Sequence, residues 1–216
     1  MSHIPKKNTT ELEIPLFQES LRQYNQRQNI AYDHDKWLYV PDFYTEYRYI
    51  LGTKGKNPLI TIGINPSTAS PGKLDNTIKA VERIARNNGF DSFIMFNVYA
   101  QRSTDPQKME TEFNTKLHME NMAAFEYVLS RVEKPSVWAA WGTNIQTRPY
   151  LKQCLTAMVK IGNIYHVQWW TCGSKSRVGN HPHHPLYLSK DAPLEVFDPV
   201  EYLASWGPGK YARKGL

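Results

Sequence analysis

The segment PLITIGINPSTAS, residues 58–70, constrains the fold more than any other stretch of the chain. Leu59, Ile60, Ile62 and Ile64 make a nearly continuous apolar run rich in β-branched side chains, which suits a strand buried on both faces. Asn65-Pro66 ends that run, because proline has no N–H for a ladder and drives the residue before it into an extended conformation. A loop of small hydroxyl residues then stands at the carboxyl end of a buried strand, where open α/β sheets hold their ligands. The same residues also suit a plain strand-to-helix turn capped by Ser or Thr.

The strand-then-helix pattern recurs. DNTIKAVERIARNNGF places Ile78, Val81, Ile84 and Ala85 on one helical face, with Asp75 as the cap and Gly89 after the end. SFIMFNVYA (92–100) reads as the next buried strand and ENMAAFEYVLSRV as a helix. SVWAAWG reads as a strand, TRPYLKQCLTAMVKIG as a helix and NIYHVQWW as a last strand. YTEYRYILG (44–52) alternates like a strand ahead of the series, and residues 14–27 read as a helix. Strands alternating with helices predict a three-layer α/β/α domain with a mostly parallel central sheet. Its predicted bounds are 41–190, between an N-terminal extension (1–40) and a C-terminal tail (191–216) that holds one helical turn, EYLASW.

The 216 residues suffice for one such domain, and no apolar run is long enough to span a membrane. The start, MSHIPKKNTTELEIP, lacks the apolar stretch of a secretory signal, so a cytoplasmic location is expected. Cys154 and Cys172, the only cysteines, exclude a disulfide framework and a four-cysteine metal or iron–sulfur site. Net charge of +6 can steer a protein toward polyanions, although Lys6, Lys7, Arg22, Arg27, Lys210, Arg213 and Lys214 put much of it near the termini, where a solvated basic tail is the better explanation of those clusters.

Three predicted strand ends carry unusual polar residues: Asn65 with Ser67 and Thr68; Asn97, followed by Gln101, Arg102, Thr104 and Asp105; and the loop HPHHP, with His181, His183 and His184 between prolines. An Asn in a buried strand costs stability unless its amide is bonded, so Asn97 either holds a neighbouring loop or meets a ligand.

The series NPSTA, DNT, NVYAQRSTDP, EN, AAWG and HPHHPLYL resembles a family of bacterial and phage proteins catalogued as domain of unknown function 1643. The pattern covers roughly residues 47–188 and departs from the family at DNT, where Asp-Pro-Thr is usual. A more distant resemblance is to the uracil-DNA glycosylase superfamily. GINPS is similar to its opening strand end, NVYAQRSTDP to a second motif with Gln101 in place of a cluster-binding Cys, AAWG to a later strand, and HPHHPLYL to its final histidine loop.

That resemblance implies the uracil-DNA glycosylase fold and a DNA glycosylase-type hydrolase of N-glycosidic bonds. The substrate it implies is uracil or a modified pyrimidine, since Ser67, Thr68 and Ala69 replace the Tyr that excludes 5-substituted bases in the best-known branch. It assigns the water-holding role to Asn65, and an amide is a poor base, so a slow enzyme is implied. A donor to the departing anionic base comes from His184 first or His181 second. Base binding falls to Gly63, Ile64, Pro66, Ser67 and Asn97, with Phe96 or Tyr99 stacking on the ring. Arg102, Lys175, Arg177, Leu186 and Tyr187 are the implied nucleic-acid contacts. The partner expected is nucleic acid, DNA in the first place, or a nucleotide, bound by a monomer with no cofactor and no metal. Two rivals stand beside this reading: a non-catalytic nucleic-acid or nucleotide-binding module on the same fold, and a metal site on His181, His183 and His184, whose prolines limit convergence of the three rings.

Overall fold

The computed structural model describes residues 2–27 and 31–206, and the basic residues Lys210, Arg213 and Lys214 lie outside them. Seven strands form one sheet in the order β1-β2-β4-β3-β5-β6-β7. They are β1 (Trp37–Val40), β2 (Ile50–Thr53), β3 (Pro58–Gly63), β4 (Ser92–Asn97), β5 (Ser136–Ala139), β6 (Gln168–Cys172) and β7 (Leu194–Val196). The central strands β4, β3, β5 and β6 run parallel, whereas β1–β2, β2–β4 and β6–β7 pair antiparallel. The expected mostly parallel sheet is therefore corrected to a mixed one. The parallel part is the part built from strand–helix alternation, and the antiparallel strands close its two sides.

Five helices cover the sheet: α1 (Phe17–Gln26), α2 (Asn76–Asn87), α3 (Thr115–Leu129), α4 (Tyr150–Ile164) and α5 (Pro199–Ser205). Strand alternation divides the apolar residues between two cores. Ile60, Ile62, Ile94, Phe96, Val137 and Ala139 pack against α1, α3, α4 and α5. Leu59, Phe93, Met95, Trp138 and Ala140 pack against Ile78, Val81, Ile84 and Ala85 of α2 on the other face. Every residue of β3 and β4 is buried, as a strand covered on both faces requires.

Helix α2 has the ends its sequence predicts. The Asp75 carboxylate accepts from the Ile78 N–H at 2.9 Å, and Gly89 follows the C-terminus at φ +83°. Helix α4 runs on to Ile164, so the strand expected from residue 163 begins only at Gln168, after His166 takes φ +52°.

The expected extension and tail both belong to this body. Strand β1 extends the sheet, and Ile14, Phe17, Leu21 and Tyr24 enter the larger core. At the other end β7 pairs with β6, and Phe197 and Tyr202 join the same core. Glu110, 5% exposed, fastens the N-terminal segment by accepting from the N–H and hydroxyl of Thr9, both at 2.7 Å, and from the Tyr99 hydroxyl.

Candidate nucleobase-binding cleft

The chain after β3 crosses to the α2 face, while the chains after its two neighbours, β4 and β5, cross to the opposite face. Connections that part in opposite directions leave a crevice at the strand carboxyl ends. A cleft of about 710 Å³ occupies that place, a volume ordinary for a small-molecule or nucleotide site. Asn65, Asn97 and His184, one from each of the three polar strand ends or loops read from the sequence, all line it.

Asn65 sits at the end of the buried run, half-buried, with its amide nitrogen held by the carbonyls of Ser103 (2.7 Å) and Pro66 (3.1 Å). Both amide hydrogens are thus engaged, and Oδ1, without a hydrogen bond among the described residues, is left to accept from a water or ligand. Asn97, completely buried, has the amide orientation in which its nitrogen donates to the carbonyls of Asn65 (3.1 Å) and Phe96 (3.3 Å). Its cost in a buried strand is offset there, and the bond ties the ends of β3 and β4 together. Gly63 permits this closeness, since a Cβ would stand 2.6 Å from the Met95 methyl and 3.2 Å from the Asn97 amide.

His184 starts a short 3₁₀ turn, Pro185–Tyr187, and its Nδ1 accepts from the Leu186 N–H at 3.4 Å. A ring accepting at Nδ1 carries its neutral proton on Nε2, which makes Nε2–H the donor available to a ligand. Gly142 faces His184 across the cleft wall at φ +64°, ψ −170°, a region open essentially to glycine alone. An added Cβ would lie 3.2 Å from the His184 Cβ. Gly142→Ala should lower the unfolding free energy by roughly 1–3 kcal/mol and shift the His184 side-chain resonances; denaturant melts and NMR spectra of the variant check both.

Burial depresses the proton affinity of His184, which Asp75 partly restores, and burial likewise depresses His181 and His118. Each group then binds its proton more weakly folded than unfolded. Stability from this source is complete above the unfolded histidine pKa, about 6.5, and is lost as pH falls from there toward the folded values. The urea midpoint should fall between pH 7 and pH 5, and His118→Gln should flatten that fall.

Several expected site residues stand elsewhere. His181 is completely buried, with Nδ1 2.6 Å from the Tyr202 hydroxyl and its ring edge-on to Trp206, so it anchors the loop under α5 and does not reach the cleft. Phe96 points into the opposite core against Phe125. Tyr99 is buried with its hydroxyl on Glu110. Neither ring can stack on a ligand. Pro66 is buried outside the lining, although its neighbours Gly63, Ile64 and Ser67 are in it.

Arg102 is no surface cation. It is fully buried, bonded to the Ser67 carbonyl, the Ala69 carbonyl (3.2 Å) and the Tyr39 hydroxyl (3.0 Å), and stacked on Tyr44 at 4.3 Å. Lys175 and Arg177 are exposed on either side of Ser176, a lining residue, and Leu186 and Tyr187 form an exposed apolar rim. Among the described residues no three His, Cys, Asp or Glu side chains gather to hold a metal ion, and no helix is long and apolar enough to cross a membrane. Of the three histidines in the loop, His183 and His184 line the cleft and His181 does not.

The two lining residues of the Arg, Lys, Asp and Glu types have no place in the sequence-based expectation as site residues. Asp75 serves as a helix cap there, and Arg48, between Tyr47 and Tyr49, reads as the outward position of an alternating strand. In the structure residues 47–48 instead run beside the chain leaving β4, with the Arg48 N–H on the Ala100 carbonyl at 3.0 Å, and this turns the guanidinium inward.

Sheet topology and cleft together define an α/β domain with a ligand-sized site at its switch point. Residues 48–186 match the family described as protein of unknown function (DUF1643), and the chain belongs to that family. No curated protein and no solved structure matches it.

Proposed function

We propose that the cleft recognises a nucleobase and that the protein hydrolyses its N-glycosidic bond, in the manner of the uracil-DNA glycosylase superfamily that the motifs resemble. The observation that supports this is the meeting of Asn65, Asn97 and His184 in one cleft at the carboxyl ends of parallel strands. The Asn65 Oδ1 orients a water toward the sugar C1′. The C1′–O bond forms, the C1′–N bond breaks with its electron pair passing to the base, and the water proton passes to solvent. The Nε2–H of His184 donates to the base as negative charge develops on it. Asn97, its amide nitrogen held by the Asn65 and Phe96 carbonyls, offers its Oδ1 to the base edge, and Tyr187, at the rim, takes the stacking role that Phe96 and Tyr99 cannot.

The second reading is a nucleic-acid or nucleotide-binding module without turnover. It is favoured by the Asn65 amide, which holds water but removes no proton. Incubation with oligonucleotides carrying uracil and several 5-modified pyrimidines, read as abasic sites, tests the catalytic version. Abasic sites that form with one base and not with unmodified DNA are expected. Binding without base release on every substrate would move the protein to the second reading.

A further inference from the structure

The guanidinium of Arg48 is 2% exposed, belongs to the cleft wall, and makes no ion pair among the described residues. Nη1 donates to the Ala69 carbonyl at 3.0 Å, and Nε, fully buried, has no partner. Arg102 donates to the same carbonyl, so two cations share one neutral acceptor. Burial, and after it the charge of Arg102, lowers the Arg48 pKa to about 9, which still leaves it charged at neutral pH. A buried cation left so poorly compensated is costly unless an anion meets it.

Beside it the cleft is lined by Asn76 and Thr77, the first residues of the twelve-residue helix α2. The Asp75 carboxylate takes the Ile78 N–H, and the N–H groups of Asn76 and Thr77 have no partner among the described residues. Asp75 acts on Arg48 and Glu46 on Arg102 through space, but neither guanidinium is paired with a carboxylate among the described residues. Free N–H groups at a helix start favour an anion, and a planar guanidinium beside them suits tetrahedral oxyanions in particular.

We propose that Arg48 and the first turn of α2 form a phosphate-binding site in the wall of the cleft, which takes the phosphate group of a nucleotide ligand. That the rest of the ligand is a nucleotide rests on the nucleobase reading above; the oxyanion site does not. The phosphate could belong to a free nucleoside 5′-monophosphate or to the backbone of a nucleic acid, and the chemistry of recognition is shared.

Titration of the full chain with inorganic phosphate, deoxyuridine, deoxyuridine 5′-monophosphate and a short single-stranded oligonucleotide separates these cases. Inorganic phosphate is expected to bind and to raise the melting temperature. The monophosphate or the oligonucleotide should bind at least tenfold more tightly than deoxyuridine, and whichever does so names the source. Arg48→Gln should abolish the phosphate effect. Because Arg48 is buried, Asn76→Pro provides a variant compatible with folding: proline is favoured at the first helical position, where it removes one free N–H. It should weaken phosphate binding about tenfold, as loss of one charge-assisted bond predicts, and leave deoxyuridine binding unchanged. Phosphate that binds while deoxyuridine adds nothing supports the oxyanion site and removes the nucleobase reading. Absence of any phosphate effect on the wild type, or a phosphate effect that survives both substitutions, overturns the site.

Discussion

His184→Ala should slow the proposed base release by about 100- to 1,000-fold, the usual consequence of removing one donor to a developing anion. The variant should fold, because the ring is half-buried and its one hydrogen bond is the 3.4 Å contact at Nδ1. Single-turnover abasic-site formation under saturating enzyme isolates the chemical step. Affinity for substrate should change little, since the donor matters most once charge has reached the base. Asn65→Ala should act similarly on rate, though it also releases the Ser103 carbonyl. Asn65→Asp is the sharper companion. A carboxylate there would replace the amide nitrogen with an oxygen facing the carbonyls of Ser103 and Pro66, and so should not accelerate the reaction although aspartate is the better base. A rate that rises in Asn65→Asp, or that is untouched in His184→Ala, would remove these residues from the mechanism.

The second large effect falls on stability. Glu110→Ala should lower the unfolding free energy by about 3–5 kcal/mol. Its carboxylate is the acceptor for the Thr9 N–H, the Thr9 hydroxyl and the Tyr99 hydroxyl in a buried site. The truncation strands those donors where water does not reach, and each unpaired buried donor costs about 1–3 kcal/mol. Asn114 amplifies the loss, because its side chain donates to Thr9 and its backbone to Tyr99. Urea unfolding measures the change, and proteolysis should cut the first fifteen residues of the variant sooner than those of the wild type. A change below about 1 kcal/mol would place the N-terminal segment outside the cooperative unit.

Much of the parallel core was legible because a buried strand and an amphipathic helix each leave a period in the sequence. Ile60 and Ile62 against Leu59, and Ile78, Val81 and Ile84, pack on the sides their spacing demands. The edge strands β1 and β7 have four and three residues, too few to show a period. The strand ends locate the cleft, but side-chain parity decides which residues face it. Asn97 lines the cleft together with Met95, so Phe96 between them has to face the other core. Tyr99 and Arg102 depart from the expectation for a different reason. Each is polar at a strand end, and only the partners supplied from afar, Glu110 for one and the Ser67–Ala69 carbonyls for the other, turn them into supports. Arg48 gave no local signal, since its inward turn depends on pairing with residues fifty positions away.

The family match stops short of both sheet edges. Residues 48–186 contain β2 to β6 but neither β1 nor β7. Cut to that span, the sheet would present two raw ladders, β2 on one side and β6 on the other, each offering unpaired N–H and C=O groups to any extended chain. The faces that Phe17, Leu21 and Tyr202 now cover would be bare as well. Such a fragment is a template for self-association. In this chain the segments flanking that span supply the caps, β1 on one edge and β7 on the other, and keep strangers off the sheet.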